Sequence, residues 1–366
     1  SRGSAATRIN SLGLIENVAS GQSRLEYPMI DGVVSGCPSL LLENSATNLI
    51  TYSEDFSNAA RNKVNSAGST LPNVTSNYGI SPDGSLNADR IQVSRASGAA
   101  DFSSVYKSIT TSSVNRAHSI WLKSLSGTPT ILILNNDGTY VSQQITTEWV
   151  RYELDLGVGT TTEIQLSVVG SNFVANVSES ADFLAYGAQL EEGSYPTSYI
   201  PTNGTTVTRA AETATGSGDA STFNDSEGVL MAEISALDES QSVTTISISN
   251  QSLSNRVLIV FSGGELRGQF VSSSDNISKN TSGVVIQDFN KIACSYTSTS
   301  FKVFVNGLQI QNTSTISTAL VGIRDISFNR GDGVLDFSGN TKQLQYYNTA
   351  LNDSDLETLT SWTSFT

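Results

Sequence analysis

The sequence is poor in the residues that most enzymes use for catalysis. Its 366 residues include one histidine and two cysteines. His118 would have to serve any Ser-His-Asp hydrolase, and no Gly-x-Ser-x-Gly motif accompanies it. A catalytic zinc site needs several histidine, cysteine or carboxylate ligands, and a phosphate-binding Gly-Lys-Ser/Thr loop is absent. These absences predict a protein that is not an enzyme, with His118 in a structural role.

Cysteine and long apolar runs are also scarce, which excludes two further classes of protein. Cys37 and Cys294 lie in opposite halves of the chain, so the count does not allow a disulfide-rich scaffold. We expect two buried thiols that are not bonded to each other. No apolar run approaches the roughly 20 residues that a membrane-spanning helix needs, so we predict no membrane insertion.

Charged side chains make up 15% of the chain, and basic ones are the scarcer kind. Lysine and arginine number 20 against 34 aspartates and glutamates, which gives a formal net charge of −14. Because nucleic-acid binding needs a basic surface, this balance predicts no nucleic-acid partner. Acidity of this degree favours the solubility of a protein with an exposed surface.

Ser, Thr, Asn and Gly are abundant instead, which favours short strands joined by polar turns over helices. The chain is too long for one ordinary sandwich and suits two domains. We therefore predict an all-β fold with two tandem β-sandwich (jelly-roll) domains, an extended N-terminal segment and one short C-terminal helix. The predicted parts are an extended segment over residues 1–45, a first sandwich over 46–202, a linker or edge strand over 203–221 and a second sandwich over 222–366.

Turn residues locate two hairpins in these sandwiches. The apolar run 131–134 precedes Asp137-Gly138, and the apolar run Phe301–Val305 precedes Asn306-Gly307. Asp-Gly and Asn-Gly are strong hairpin signals because the central residues of a tight turn adopt positive φ. We predict a two-stranded turn at each position.

The single predicted helix lies near the end of the chain. Asn352 can cap it, and acidic residues follow in its first turn, where they suit the helix dipole. Leu356, Leu359 and Trp362 would fall on one apolar stripe. We expect this helix to seal one end of the second sandwich.

Residues 186–202, with the sequence YGAQLEEGSYPTSYIPT, lie between the two predicted sandwiches. The segment begins with the two-residue alternation of a strand and leaves the sheet at residues 191–193. Pro196 and Pro201 exclude both a helix and a central strand for the remainder. We expect a stiff, extended exit from the first domain toward the second.

Several motifs carry a resemblance to known families. GAQLEEGSYPTSYIPT closely resembles the closing motif of a carbohydrate-binding-like jelly-roll domain common in bacteriophage tail and tail-fibre proteins. CPSLLLENSATNLITYSEDFSNAA resembles the entry to that domain, and its inner motifs are matched by SPDGSLNADRI, HSIWLKS and TEWVRYEL. The C-terminal part resembles a laminin-G or concanavalin-A-like sandwich through KIACSYTSTSFKVFVNG and LQYYNTALNDSDLETLTSW. Together the motifs touch most of the chain.

The resemblance implies a virion protein of the phage tail: a receptor-binding or tail-fibre adhesin that attaches to host cell-surface glycans without cleaving them. It also implies a homotrimer, contact with other virion tail proteins and an extracellular location on the virion. Residues 1–45 are then a candidate intertwining segment. Three alternatives stay open, namely a purely structural virion protein, a bacterial surface lectin and a tail enzyme that degrades polysaccharide.

The enzyme alternative needs two carboxyl groups placed across a glycosidic bond. Glu54 and Asp55 form one neighbouring pair, and Glu191 and Glu192 form another. Neighbours in a strand point to opposite faces, so neither pair suits that geometry. We therefore predict binding without catalysis.

Sugar-binding sandwiches present aromatic rings to the apolar face of a pyranose, beside a few hydrogen-bonding side chains. The candidate carbohydrate-binding residues are Trp121, Tyr140, Tyr78, Tyr106 and Arg61. Arg61 stands where the family usually has a tryptophan. Either its aliphatic stem covers the core there, or its charge faces outward and changes what the surface binds.

Calcium is the metal for which the sequence offers ligands. Hard oxygen donors cluster at Asp83, Asn87 and Asp89, and a second set lies at Asp332 and Asp336. Turn formation explains these positions equally well. The two calcium sites are therefore hypotheses that stand beside a structural interpretation.

Overall fold

The computed structural model describes residues 1–30, 32–281 and 283–362, and their secondary structure is almost entirely β. Twenty-six strands and one helix, α1 (Asp353–Thr360), are described. Every pairing between the named strands is antiparallel. Within the described ranges no helix is long and apolar enough to cross a membrane. The predicted all-β class with one short C-terminal helix is confirmed.

The first 48 residues form short strands. In chain order these are β1 (Ala6–Ile9), β2 (Ile15–Val18), β3 (Arg24–Glu26), β4 (Met29–Ile30), β5 (Val33–Val34), β6 (Ser39–Leu42) and β7 (Ala46–Asn48). Strand β1 pairs with β2, and β4 pairs with β5. Strand β3 pairs with β6, which itself belongs to a sheet of the second sandwich described below.

The next eight strands form one branched sheet. They are β8 (Asn62–Asn65), β9 (Thr70–Ile80), β10 (Leu86–Ser94), β11 (Phe102–Ser124), β12 (Thr130–Asn136), β13 (Thr139–Gln144), β14 (Val150–Val169) and β15 (Ser180–Glu192). The order is β13-β12-β14-β11-β15-β10-β9, and β8 also pairs with β11. The start of β11 pairs with β8 and its end pairs with β15. The pairing of β11 with β14 shifts register between Thr110 and Val114, which lies between these two parts of β11. Such irregularities bend a strand, and the bend lets one sheet curve around a single core.

That core is built from the alternating apolar residues that the sequence pattern indicates. Ile164, Leu166 and Val168 of β14 point into it, as do Ile120 and Leu122 of β11. The turn between β12 and β13 falls at Asp137-Gly138, whose φ angles are 46° and 91°. The first predicted hairpin is therefore confirmed.

The second sandwich contains ten strands and is joined to the first through β16 (Val207–Arg209), which pairs with β7. The ten strands are β17 (Glu227–Ser235), β18 (Thr244–Ser249), β19 (Arg256–Ser262), β20 (Glu265–Val271), β21 (Asn276–Asn280), β22 (Asn290–Thr297), β23 (Phe301–Val305), β24 (Leu308–Thr313), β25 (Asp325–Ser327) and β26 (Gly339–Tyr347). One sheet has the order β24-β23-β22-β17-β26-β6-β3 and the other β21-β20-β19-β18-β25. The N-terminal strands β3 and β6 thus extend a sheet formed by residues far along the chain.

Asn306 and Gly307 join β23 to β24 with φ angles of 49° and 82°, which confirms the second predicted hairpin.

At the end of this sandwich, the side chain of Asn352 accepts a hydrogen bond from the first turn of α1, as predicted for its cap. Leu356 is buried against the sheet, and Leu359 packs beside it. Trp362 lies beyond the helix and is 49% exposed, so only the two leucines seal the sandwich. Residues 363–366 of the predicted second sandwich lie outside the described residues.

The two cysteines occupy different environments. Cys294 is buried in the core of the second sandwich, whereas Cys37 is exposed. Neither forms a disulfide within the described part of the chain. The prediction of two unbonded thiols is right, but the prediction that Cys37 is buried is wrong. Cys37 lies between Gly36 and Pro38 in the connection that precedes β6, where nothing covers it.

Candidate functional site

The segment that follows β15 folds back onto the strand it has just left. The carboxylate of Glu191 accepts hydrogen bonds from the backbone N–H of Thr197, at 2.7 Å, and from its hydroxyl, at 2.5 Å. The backbone N–H of Ile200 donates to the side chain of Gln189 at 2.6 Å. These contacts fix the course of residues 193–202, which contain Pro196 and Pro201 and which we name the two-proline segment. It leaves the sheet where the sequence predicted.

Five buried charged side chains, which we name the ion network, connect this segment with the N-terminal strands and the linker. Glu212 accepts from Arg2 Nη1 at 2.5 Å and from Arg24 Nε at 2.7 Å. Glu43 lies 2.7 Å from Arg24 Nη2 and 2.8 Å from Arg209 Nη1. Burial raises the pKa of Glu43, but the guanidinium groups of Arg209 and Arg24 outweigh it and lower that pKa to about 2. Glu43 is therefore charged at neutral pH.

A cavity of about 490 Å³, the polar pocket, lies in the first sandwich. Three parts of the chain form it: the segment after β7, the hairpin of β9 and β10, and the end of the two-proline segment. It is lined by Tyr52, Glu54, Asp55, Ser57, Ser76, Asn77, Asn87, Asp89, Pro201, Thr202 and Asn203. A β-bridge between Tyr52 and Asn203, together with hydrogen bonds between Ser53 and Thr202, joins the first and last of these parts.

Asp89 forms the floor of the polar pocket and is 2% exposed. Its two carboxylate oxygens accept from the backbone N–H groups of Phe56, at 2.8 Å, and Asn77, at 2.9 Å. Burial raises the pKa of Asp89, and those two backbone donors oppose the rise. Asn77 adopts a positive φ of 52°, a conformation that asparagine tolerates better than most residues. Asp89 therefore ties the two walls of the pocket together.

Glu54 and Asn87 supply side-chain hydrogen-bonding groups at the wall. Tyr199 donates to Glu54 at 2.9 Å, and the amide of Asn87 lies 3.4 Å from the other oxygen of Glu54. The same amide donates to Asp83 at 3.0 Å, and Tyr186 donates to Asp83 at 3.1 Å. Burial raises the pKa of Glu54, against the opposing hydrogen bond from Tyr199. The Oδ1 atom of Asn87 is buried and lacks a partner among the described residues.

Arg61 lies beneath the polar pocket and not in it. It is 5% exposed, its guanidinium carbon is 4.3 Å from the ring centroid of Phe56, and Nη2 donates to the carbonyl of Tyr52 at 2.9 Å. Burial lowers the pKa of Arg61 to about 10, although the neighbouring carboxylates oppose this. Of the two alternatives left open by the sequence, the arginine covers the core. Its charge does not face outward.

Trp121 is placed differently from the exposed ring that sugar stacking requires. It is 9% exposed, and Tyr199 and Tyr186 pack on it with centroid distances of 5.5 Å and 6.1 Å. The guanidinium carbon of Arg151 lies 4.7 Å from its ring centroid. Ile15 of the N-terminal segment completes this cluster. No face of Trp121 remains for a sugar, so we do not retain it in the candidate site.

The three predicted tyrosines do not line the polar pocket. Tyr78 is 47% exposed, and the guanidinium carbon of Arg90 lies 4.7 Å from its ring centroid. Tyr140 packs edge-to-face on Phe173, with 5.8 Å between centroids. Tyr106 is partly buried in β11, opposite the start of β8. Of the three, Tyr78 offers the most exposed ring for sugar contact.

Three of the five predicted calcium ligands have carboxylates engaged in hydrogen bonds or an ion pair. Asp83 and Asp89 accept the N–H and O–H donors described above, and Asp332 pairs with Arg330 at 2.6 Å. Burial raises the pKa of Asp336. Across the described ranges, no group of three or more histidine, cysteine or acidic side chains is placed to hold a metal ion. These residues do not fit a calcium ion as they stand, and calcium binding stays a prediction.

His118 is fully buried in β11, and its Nδ1 lies 2.8 Å from the carbonyl oxygen of Gln189. Burial lowers its pKa to about 4, so the imidazole is neutral at physiological pH. The surrounding groups hold the ring in place and leave it no access to a substrate. Its position suits the structural role expected from the sequence.

No sequence pattern indicates that Tyr52, Glu54 and Asp55 line a binding site. One signal for the site was present, because Asn87 and Asp89 are two residues apart on a strand and share a face. The remaining wall comes from segments far apart in the sequence. Their approach depends on the bridge at Asn203, which no local pattern indicates.

No protein-family profile and no curated protein sequence matches the chain. Among solved structures, the chain is similar to the CBM40 domain of Ruminococcus gnavus IT-sialidase bound to α2,3-sialyllactose, with 15% identity, a TM-score of 0.34, and coverage of 41% of this chain and 94% of that one. It is also similar to domain 4 of AbnA, a GH43 arabinanase from Geobacillus stearothermophilus, in complex with arabinotriose, with 15% identity, a TM-score of 0.33, and coverage of 39% and 70%. Sheep galectin-11 in complex with glycerol matches with 11% identity, a TM-score of 0.24, and coverage of 33% and 88%.

Proposed function

We propose that the polar pocket binds an uncharged sugar of a cell-surface glycan without cleaving it. The observation that carries the proposal is the set of groups in one cavity of about 490 Å³: carboxylates, amides and hydroxyls, with no cationic side chain lining it. This volume lies within the roughly 300–1,000 Å³ of small-ligand pockets. Sugar hydroxyls both donate and accept hydrogen bonds, and so they match this set. The carboxylates of Glu54, Asp55 and Asp89 disfavour sialic and uronic acids.

We further propose that the chain serves as a receptor-binding or fibre component of a bacteriophage tail, located on the virion outside the cell. The resemblance of the motifs in residues 37–60 and 187–202 to phage tail proteins supports this role. A homotrimer joined to other tail proteins would present several weak sites at once, and avidity would then exceed the affinity of a single pocket. A purely structural virion protein is the alternative, and it would bind no host cells.

Binding of fluorescently labelled protein to a panel of bacterial strains tests the role. Binding to a narrow set of strains, removed when periodate destroys the vicinal diols of the cell-surface sugars, supports a glycan adhesin. Asn87→Ala should reduce this binding at least about tenfold, since a lost hydrogen-bonding partner in a buried site is costly. Glu16→Gln, at a partly exposed position of the N-terminal segment, is the matched control. A folded protein that binds no strain would refute the adhesin role.

Hydrolysis is the second function to consider, because Glu54 and Asp89 have raised pKa values in one pocket while the hydrogen bonds of Asp55 outweigh its burial and lower its pKa. Acid–base pairs in glycosidases are separated in this way. Both oxygens of Asp89 are occupied by backbone donors, however, which favours a structural carboxylate. Release of reducing ends from a bound polysaccharide over hours, abolished by Glu54→Gln, would overturn non-catalytic binding.

A further inference from the structure

A second cavity, the junction cleft, has a volume of about 530 Å³ and lies where three parts of the chain meet. Glu26 and Tyr27 come from the N-terminal strands, and Arg151 comes from β14. Tyr195 belongs to the two-proline segment, and Asp238 belongs to the second sandwich. Small-ligand sites concentrate at such boundaries between structural units. The cleft does not overlap the polar pocket, since the two share no lining residue.

Two polar atoms at the junction cleft are buried without a hydrogen-bond partner among the described residues. They are Oε2 of Glu26 and Nε of Arg151. The other nitrogens of Arg151 are used, because Nη1 lies 2.6 Å from Glu153 and Nη2 donates to the carbonyl of Thr197 at 2.7 Å. Buried polar groups without partners are rare and costly, so a ligand whose donor and acceptor reach these two atoms would be favoured.

The charges of the cleft favour a cationic ligand. Arg151, Glu153 and Asp155 alternate along β14 and therefore share a face. The one cation among them is already paired with Glu153. Glu26 and Asp238 add two further carboxylates from the other walls. An anionic ligand would be repelled, whereas an ammonium group would meet several carboxylates.

Aromatic rings give the cleft an apolar wall. Tyr27, Tyr195 and Phe289 line it and are partly buried. The amine of Lys342 lies 3.8 Å from the ring centroid of Phe289, so this ring is already engaged by a cation of the chain. The two tyrosines remain for contact with the apolar face of a sugar ring.

We propose that the junction cleft is a second binding site whose ligand is an amino sugar with a free ammonium group. The ammonium binds the carboxylate of Glu26, and a ring hydroxyl accepts the hydrogen bond of Arg151 Nε. The tyrosines contact the sugar ring. This site is independent of the function proposed for the polar pocket.

The ionisation of Glu26 supports this assignment. Burial and the neighbouring Glu43 together raise its pKa to about 7, while Arg24 and Arg151 oppose the rise. A bound ammonium favours the ionised form and should therefore lower the pKa of Glu26. The other charged groups that line the cleft are Glu153, Asp155 and Asp238.

Isothermal titration of the full chain at pH 7 tests the proposal. The probes are a glucosamine tetramer with free amines and the same tetramer fully N-acetylated, which lacks the positive charge. We expect heat of binding with the free amines only. Glu26→Gln should weaken it about tenfold, the cost of one charge-assisted hydrogen bond, and Asp238→Asn should weaken it less. Glu16→Gln removes the same charge at a partly exposed position outside the cleft and should leave the affinity unchanged.

Equal binding of the two tetramers, absence of binding, or unchanged affinity in a folded Glu26→Gln variant would each overturn the proposal. Asn87→Ala separates the two sites, because it damages the polar pocket and should not change binding of the amino sugar. The carboxyl NMR signal of Glu26 gives a direct readout. Its pKa should fall when the free-amine tetramer saturates the protein and should stay unchanged with the acetylated one.

Discussion

Replacing Glu212 with glutamine removes one of the two carboxylates that neutralise the three arginines of the ion network. The side chain of Glu212 is 4% exposed, and that of Arg2 is not exposed at all. Glutamine keeps the size of the side chain and one acceptor oxygen, but its NH₂ group faces guanidinium donors. The substitution therefore tests the charge and not the packing.

The magnitude follows from the charge count. Arg2, Arg24 and Arg209 carry three positive charges against two negative charges on Glu43 and Glu212, so the wild-type network holds an excess of one. The variant holds an excess of two among side chains that are buried. Removing one partner of a buried ion pair typically costs about 3–5 kcal/mol, a large part of the roughly 5–15 kcal/mol by which proteins are stable.

Urea denaturation followed by tryptophan fluorescence measures the loss in unfolding free energy. Glu16→Gln is the control, because its pair with Arg8 is partly exposed and should be worth about 0–1 kcal/mol. The double variant Arg2→Met/Glu212→Gln returns the excess charge to one and should recover part of the loss. The network joins both sandwiches, so we also expect Glu212→Gln to separate their unfolding transitions.

If Glu212→Gln lowers the free energy of unfolding by less than about 1 kcal/mol, as the control does, the charge balance of the ion network does not determine stability. Such a small loss would mean that water or a rearranged side chain neutralises the arginines. A double variant less stable than Glu212→Gln alone would also contradict a role of this charge balance, since Arg2 would then contribute packing that outweighs its excess charge.

Three further expectations concern backbone strain, pH and metal. Gly187 and Gly157 have φ angles of 62° and 63°, but only at Gly187 would an added Cβ lie 2.9 Å from the ring of Trp121. In urea denaturation, both alanine variants should lose about 1–3 kcal/mol of unfolding free energy through backbone strain. Gly187→Ala should lose about 1–3 kcal/mol more, because its Cβ contacts Trp121, and equal losses in the two variants would contradict this. Since His118 has a folded pKa of about 4, below its ordinary 6.5, its contribution to stability is present above pH 6.5 and is lost as pH falls toward 4. Glu26 has the opposite effect, because its pKa is raised from 4.5 to about 7. Its contribution to stability is present below pH 4.5 and is lost as pH rises from 4.5 to 7. The variant Glu26→Gln should therefore show stability that rises more steeply than wild type between pH 4.5 and 7, and a profile parallel to wild type would be evidence against this. Chelation with EDTA should leave the melting temperature unchanged, because the acidic side chains of the polar pocket accept hydrogen bonds in place of a metal; a drop of several degrees reversed by calcium would restore the calcium hypothesis.

Local signals explain why much of the fold could be predicted. The turns at Asp137-Gly138 and Asn306-Gly307 need only two residues that tolerate positive φ, and the cap at Asn352 needs only one side chain. The alternation of apolar residues in β14 is likewise a property of a few consecutive positions. Each of these features is determined within a few residues.

The partners of the N-terminal segment could not be predicted in the same way. Strand β6 looks like a buried strand in the sequence, but its partner is β26, near the other end of the chain. The burial of Trp121 depends on the same segment, because Ile15 packs against its cluster. Arg61 was ambiguous for a related reason, since its position depends on where Phe56 and Tyr52 fold.

The polar pocket lies between these two cases. Asn87 and Asp89 were identified as neighbouring oxygen donors, although for a metal. In the structure, residues of the entry and closing motifs surround them. The amide of Asn87 donates hydrogen bonds to the neighbouring carboxylates of Glu54 and Asp83. Sequence periodicity can show that two side chains share a face, but it does not show which distant segment covers that face.

The most direct test of glycan binding by the polar pocket is an NMR titration of isotope-labelled protein with the uncharged sugars released from a strain that the protein binds. Binding of a glycan in the polar pocket predicts saturable shifts at the amides of Asn77 and Asn87, and at least about a tenfold loss of affinity in Asn87→Ala. Shifts that occur only elsewhere, or an affinity that Asn87→Ala does not change, would contradict it. The polar pocket would then be a structural cavity.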